Sequence, residues 1–154
     1  MTEREKRAHD LFRSGYNCAQ SVLITSCDLT GMDEKTSAKV ASSFGGGIGR
    51  LREVCGAVSG MCMAAGLIYG YSDKEAREEK IEHYSRIQDM CGEFSKENGS
   101  IICRELLKGL KEANIPAREP EERTEQYYKK RPCAMLCAHC AGILERYIEN
   151  NPIK

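Results

Sequence analysis

A chain of 154 residues is one domain by length and can bury roughly two thirds of its unfolded surface in a single core. Lysine plus arginine and aspartate plus glutamate balance at 23 each and are interspersed, which leaves no basic face for a phosphate backbone or anionic lipid, so neither nucleic acid nor membrane is an expected partner. Nine cysteines is a high and odd count, and the charged opening M-T-E-R-E-K-R lacks an apolar signal core; a cytoplasmic protein is expected, whose cysteines are thiols or ligands and not a disulfide framework.

Thr2 with Glu5 reads as a capping box for a helix to about Ser14, with Ala8, Leu11 and Phe12 inward and Gly15 as its stop. Asn17 caps a second helix, with Cys18 first, Gln20 third, and Ala19, Val22, Leu23 and Ser26 to Cys27 facing inward. Asp33 opens a third, through Ala38 and Ala41, that ends at the glycines after Phe44. The fourth runs from about Cys55 to Tyr69. Glycine inside a helix costs about 1 kcal/mol relative to alanine, so Gly56, Gly60, Gly66 and Gly70 at spacings of four and six predict a backbone or bound group at close range. Val54 to Ser72 carries no charge and approaches bilayer-spanning length, but its four glycines and two serines fit a central buried helix better.

Ser72 and Glu75 suggest another capping box and a long helix to about Ser95, with Ile81, Tyr84, Ile87 to Gln88, Cys91 and Phe94 as its buried stripe. Asn98 and Gly99 break the chain, and Ser100 caps a helix that carries Cys103 ahead of Leu106, Leu107 and Leu110. Lys111 to Arg131 shifts to proline and charge, with Pro116, Pro120 and a short helical piece around Glu121 to Tyr128; a surface excursion or flap is expected. Pro132 fits the first position of a last helix, followed by Cys133, with Cys137, Cys140, Leu144, Tyr147 and Ile148 along one stripe. No stretch alternates with strand periodicity, so the expected fold is all-α, a single-domain bundle of about six or seven helices over 1–154.

Phe44 to Gly60 is the stretch that looks like a site. Gly45, Gly46, Gly47, Gly49 and Gly56 permit close approach and are candidate cofactor-binding positions. Cys55 follows at a helix start, with Arg50 and Arg52 just upstream, and is the candidate reactive thiol. Cys18, Cys55, Cys103 and Cys133 all fall in predicted helix first turns, where a thiol pKa can drop from about 8.5 to roughly 3.5–7.5. If these helix starts converge, the four are thiolates able to hold a metal centre. Cys27, Cys62 and Cys91 read as core. Cys133, Cys137 and Cys140 read C-x-x-x-C-x-x-C, the spacing of radical SAM cluster motifs, but those lie in a loop after a strand of a partial barrel, which this short helical chain does not offer. Cys140 is followed by Ala141, so haem attachment is excluded. His9, His83 and His139 share no ligand spacing and read as surface residues.

Cys18 in G-Y-N-C-A-Q-S-V, Cys55 to Gly60 as C-G-A-V-S-G, Cys103 in S-I-I-C-R-E-L-L and Cys133 follow one another in the order of the C_GCAxxG_C_C family, which the chain resembles over nearly its whole length. The resemblance implies redox activity. The leading expectation is a redox or metal-handling protein in which Cys18, Cys55, Cys103 and Cys133 hold an iron–sulfur cluster, or another metal ion, for electron transfer. Two alternatives stand beside it: metal-free thiol–disulfide exchange led by Cys55, and a non-catalytic module with structural zinc. A redox partner protein, and a homodimer through the glycine-rich helix, are the expected partners.

Overall fold

The computed structural model describes residues 1–114 and 118–154; Pro116, assigned above to the excursion, lies outside them. Among the described residues the chain forms nine α-helices and no strand: α1 (Glu3–Ser14), α2 (Cys18–Thr25), α3 (Cys27–Thr30), α4 (Glu34–Ala41), α5 (Gly56–Tyr69), α6 (Arg77–Asn98), α7 (Cys103–Leu106), α8 (Glu125–Lys130) and α9 (Cys133–Asn150). Helical turns of the tighter 3-10 kind cover Ser42–Phe44 and Lys111–Asn114. The all-α expectation holds; α3, α7 and α8, at four to six residues, are too short to carry a periodic signal.

Helix starts follow the capping chemistry. The Asn17 side chain accepts from Gln20 N at 2.8 Å while Gln20 accepts from Asn17 N at 3.0 Å, and Asp33 accepts from Thr36 N at 2.9 Å. The expected Ser72–Glu75 cap does not form. Asp73 takes the Glu75 amide at 2.9 Å in a local turn, and α6 begins only at Arg77. The buried face of α6 also differs from the expected stripe: His83, Arg86, Met90 and Phe94 point inward, while Ile81 and Tyr84 are 55 % and 53 % exposed. Arg86 explains the rotation. Its guanidinium lies 4.5 Å over the Tyr69 ring and donates to the Tyr147 hydroxyl at 3.1 Å, so an aromatic box between α5 and α9 accepts a cation where an aliphatic side chain was expected.

α2 is the centre of the bundle, with seven of its eight residues buried, and it packs against α1, α4, α5 and α9. α1 lies along α9. Gly56 and Gly60 let α5 come down on α2: a Cβ at Gly60 would sit 2.7 Å from the Ala19 carbonyl oxygen, and one at Gly56 would sit 3.2 Å from Ala19 N. The close neighbour forecast for these glycines is therefore α2 of the same chain. In the second half of α5 Ala64 and Ala65 stay fully buried, while Leu67 is 45 % exposed. Among the described residues no helix is long and apolar enough to cross a membrane.

Candidate functional site

Each of the four singled-out cysteines sits where a helix begins: Cys18, Cys103 and Cys133 are the first residues of α2, α7 and α9, and Cys55 is the residue ahead of α5. All four are buried, and all four line one cavity of about 530 Å³. A two-residue pairing that no periodicity announced joins two of them. Val54 and Ile102 form an isolated antiparallel bridge, flanked by Cys55 N to Ile101 O at 2.8 Å and Cys103 N to Glu53 O at 2.6 Å, so the starts of α5 and α7 lie side by side. Cys18 joins them because Gly56 faces it; a Cβ at Gly56 would lie 3.1 Å from Cys18 Cβ.

The thiols are not acidified as their helix-start positions suggested. The backbone N–H groups of Val58 and Ala57 do pull Cys55 down, but burial outweighs them and pushes it up to about 12. Burial likewise raises Cys103 against the opposing hydrogen bond and charge of Arg52. Cys133 is raised chiefly by its contact with the Cys18 thiol and then by burial. Cys18 is favoured as an anion by Cys133, yet Cys137 and burial prevail and raise it. Buried sulfurs that share one pocket resist forming the first thiolate unless something positive enters with it.

Gly45, Gly46, Gly47 and Gly49 also border the cavity. Left-handed backbone runs through Gly46, Gly47, Ile48, Gly49, Arg50 and Arg52, and for the three non-glycine residues, at φ 67°, 70° and 62°, this conformation costs roughly 1–2 kcal/mol each. The loop closes on itself. Gly49 N donates to Ser43 O at 2.8 Å, Arg50 N to Gly45 O at 3.1 Å, Arg52 N to Gly46 O at 3.1 Å and Glu53 N to Gly47 O at 3.0 Å. Of the glycine amides expected to face a ligand, that of Gly49 is used in this way, while Gly45, Gly46 and Gly47 enter the coil through their carbonyl oxygens. What the coil achieves is to turn two arginines inward and to let Cys103 approach: a Cβ at Gly47 would lie 2.8 Å from Cys103 Cβ.

Arg50, Arg52 and Arg131 converge on one carboxylate, Glu121. Arg50 grips it with both terminal nitrogens at 2.9 and 2.6 Å, Arg131 Nη2 stands at 3.2 Å, and Arg52 Nη2 at 3.7 Å. Three cations against one anion leave two positive charges over at this cluster. Arg52 is 2 % exposed, and its Nη1 points at Cys103 Sγ from 3.8 Å. Arg50 Nε, Arg52 Nη2 and Arg131 Nη2 are buried without a well-aligned hydrogen-bond acceptor. The two ion-pair distances from Glu121 therefore bring charge near these last two nitrogens without completing a hydrogen bond.

From the described part of the excursion, Pro120, Glu121, Arg123, Tyr127 and Arg131 line this cavity. Arg123 donates to Phe12 O at 2.8 Å and Tyr16 O at 3.1 Å, with its guanidinium 4.3 Å from the Phe12 ring centre, and so pins Glu121 over the arginines. Sequence reading missed Glu121 and Arg131. Arg131 had a signal, since it precedes Cys133 as Arg52 precedes Cys55; Glu121 had none.

The other cysteines divide. Cys137 and Cys140 are fully buried, and Cys137 Sγ lies 3.8 Å from the Cys18 carbonyl oxygen. Cys27, half-buried and not core, lies 3.3 Å from Ser37 Oγ. Cys62 and Cys91, also expected in the core, are half-buried, with their sulfurs 3.8 Å apart. His83 is buried against Arg86, with Nδ1 at 2.9 Å from its guanidinium, contrary to the surface assignment; His139 meets Asn98 at 3.1 Å. Among the described residues no group of three or more His, Cys, Asp or Glu side chains is arranged to hold a metal ion.

No curated protein and no solved structure matches the chain. A family model matches residues 16–147, from just ahead of Cys18 to the last turns of α9, and so spans all four cysteines of the cavity. The family label places glycine before cysteine in its central motif, whereas this chain reads Cys55-Gly56-Ala57. With four cysteines in the family's order gathered on one cavity, the chain belongs to the C_GCAxxG_C_C family, described as a putative redox-active protein.

Proposed function

We propose that Cys18, Cys55, Cys103 and Cys133 are the ligands of an iron–sulfur cluster and that the protein carries electrons to a partner protein. The observation that carries this reading is the meeting of four helix-start cysteines on one cavity. Four cysteine sulfurs are the donor set of the common clusters, and the cluster supplies one-electron chemistry when bound. A cluster held by four thiolates is a net anion, and the two positive charges left over among Arg50, Arg52, Arg131 and Glu121 stand beside it. Their unpaired N–H groups offer that anion donors, which with the positive charge favours the more negative, reduced state over what bare burial would allow and so raises the potential. The structural-zinc reading has less support, since structural zinc usually draws its ligands from local pairs such as C-x-x-C and Cys18, Cys55 and Cys103 have no cysteine neighbour at that spacing.

Protein purified without oxygen is expected to absorb in the visible and to contain iron and acid-labile sulfide. Cys18→Ser, Cys55→Ser, Cys103→Ser and Cys133→Ser should each lose most of that iron, whereas Cys27→Ser keeps it. A colourless, metal-free parent protein that is fully folded overturns the cluster.

A second reading starts from Cys18 and Cys133, which line the same cavity and of which Cys18 is the largest influence raising the pKa of Cys133. It makes this pair, more than Cys55, the candidates for metal-free thiol–disulfide exchange. Mild oxidation followed by peptide mass mapping would then give one Cys18–Cys133 link; scattered linkage removes it.

A further inference from the structure

Outside the four-cysteine cavity, Cys62 on α5 faces Cys91 on α6 with the sulfurs 3.8 Å apart. The two residues differ from the four cysteines of the cavity in being half-buried, at the edge of the core and not inside it. The surface beside them is open. Gly66 lies one turn beyond Cys62 on the same side of α5, Gly92 adjoins Cys91, and a Cβ at either glycine meets no atom within 4 Å. Neither cysteine lies in a first turn of its helix, and the cluster reading uses neither.

We propose that Cys62 and Cys91 form a second redox site, a dithiol that takes a small diffusible disulfide as substrate. The Cys91 thiolate attacks one sulfur of the incoming disulfide, whose S–S bond breaks; a mixed disulfide forms on Cys91 and one small thiolate leaves and takes up a proton. Cys62 then gives its proton to solvent and attacks the Cys91 sulfur, which forms the Cys62–Cys91 bond and releases the second small thiol. Two protein thiols are oxidised and one disulfide is reduced to two thiols. To form the bond the sulfurs must close from 3.8 Å to about 2.05 Å. The order of attack follows from the pair's asymmetry. Their mutual hydrogen bond raises Cys62, which keeps the proton, and lowers Cys91, which is left the better nucleophile.

The test uses oxidised glutathione as the disulfide, on the whole reduced protein, with free thiols alkylated afterwards and peptides mapped by mass. The expected result is a Cys62–Cys91 cross-link. Cys62→Ser should instead hold a glutathione adduct on Cys91, and Cys91→Ser should react about tenfold more slowly at Cys62. Full alkylation of both thiols in the treated parent, a link from either to another cysteine, or equal adduct rates in the two variants overturns the site. Iron content and visible absorbance of the untreated variants are read alongside; a protein with no iron at all rejects the cluster and leaves the cross-link result to decide this site by itself.

Discussion

Alanine at Gly60 destabilises the protein by about 1–3 kcal/mol, while the same substitution at Gly66 on the same helix stabilises it by up to about 1 kcal/mol. Helix propensity favours alanine at both positions, so the sign is decided by what the new methyl meets. At Gly60 it lands 2.7 Å from the Ala19 carbonyl oxygen, 3.1 Å from Val22 Cβ and 3.2 Å from Ala19 Cα, atoms of a helix backbone or next to one. α2 cannot yield locally, because it is held by α1, α4 and α9 on its other sides. At Gly66 nothing lies within 4 Å. In a domain of this size each kcal/mol moves the melting temperature by roughly 2–4 °C, so thermal unfolding separates the two variants. Equal shifts would mean that α2 and α5 do not approach as closely as described. Gly56→Ala tests the link to the site, since its methyl would meet Cys18 Cβ at 3.1 Å and disturb the cavity as well as the packing.

Glu121→Gln is expected to cost about 2–3 kcal/mol at neutral pH, because it leaves Arg50, Arg52 and Arg131 facing one another without their shared anion. The figure is kept below that for a fully buried pair since the Glu121 side chain is 27 % exposed. The same carboxylate sets an acid limit. Burial alone would raise its pKa, but the hydrogen bonds and charge of Arg50 and the charge of Arg131 hold it down to about 2, against the usual 4.5. A carboxyl depressed in the folded state contributes its full stability above pH 4.5 and loses it as the pH falls toward 2. The gap between the denaturant midpoints of parent and Glu121→Gln should therefore be widest at pH 7 and narrow through pH 4.5 to pH 3. A gap that stays constant with pH would rule out Glu121 as the group responsible.

The outer course of the chain was readable because capping and periodicity are local. Asn17, Asp33 and Gly99 mark boundaries with side chains or backbone angles that act within a few residues, and α1, α2, α5 and α9 carry apolar faces long enough to register. Where a local rule failed, another residue had taken its partner: Asp73 holds the Glu75 amide, and an aromatic box draws Arg86 inward and turns Ile81 and Tyr84 to solvent. The helix-start cysteines were likewise found from neighbours alone. Their protonation was misjudged for the same reason, since a helix start was weighed without the burial and the second sulfur that only the folded chain supplies.

By itself the order of residues determined the all-α class and put Cys18, Cys55, Cys103 and Cys133 at the beginnings of helices, because both depend on interactions spanning one or two turns. The tertiary structure alone decided that these starts meet. Their meeting depends on the Val54–Ile102 bridge, on α5 settling against α2 through two glycines, and on Glu121, with nearby Arg131, crossing over to Arg50 and Arg52 in a distant part of the chain. Such contacts are set by which surfaces fit in space, and no spacing along the chain encodes that fit.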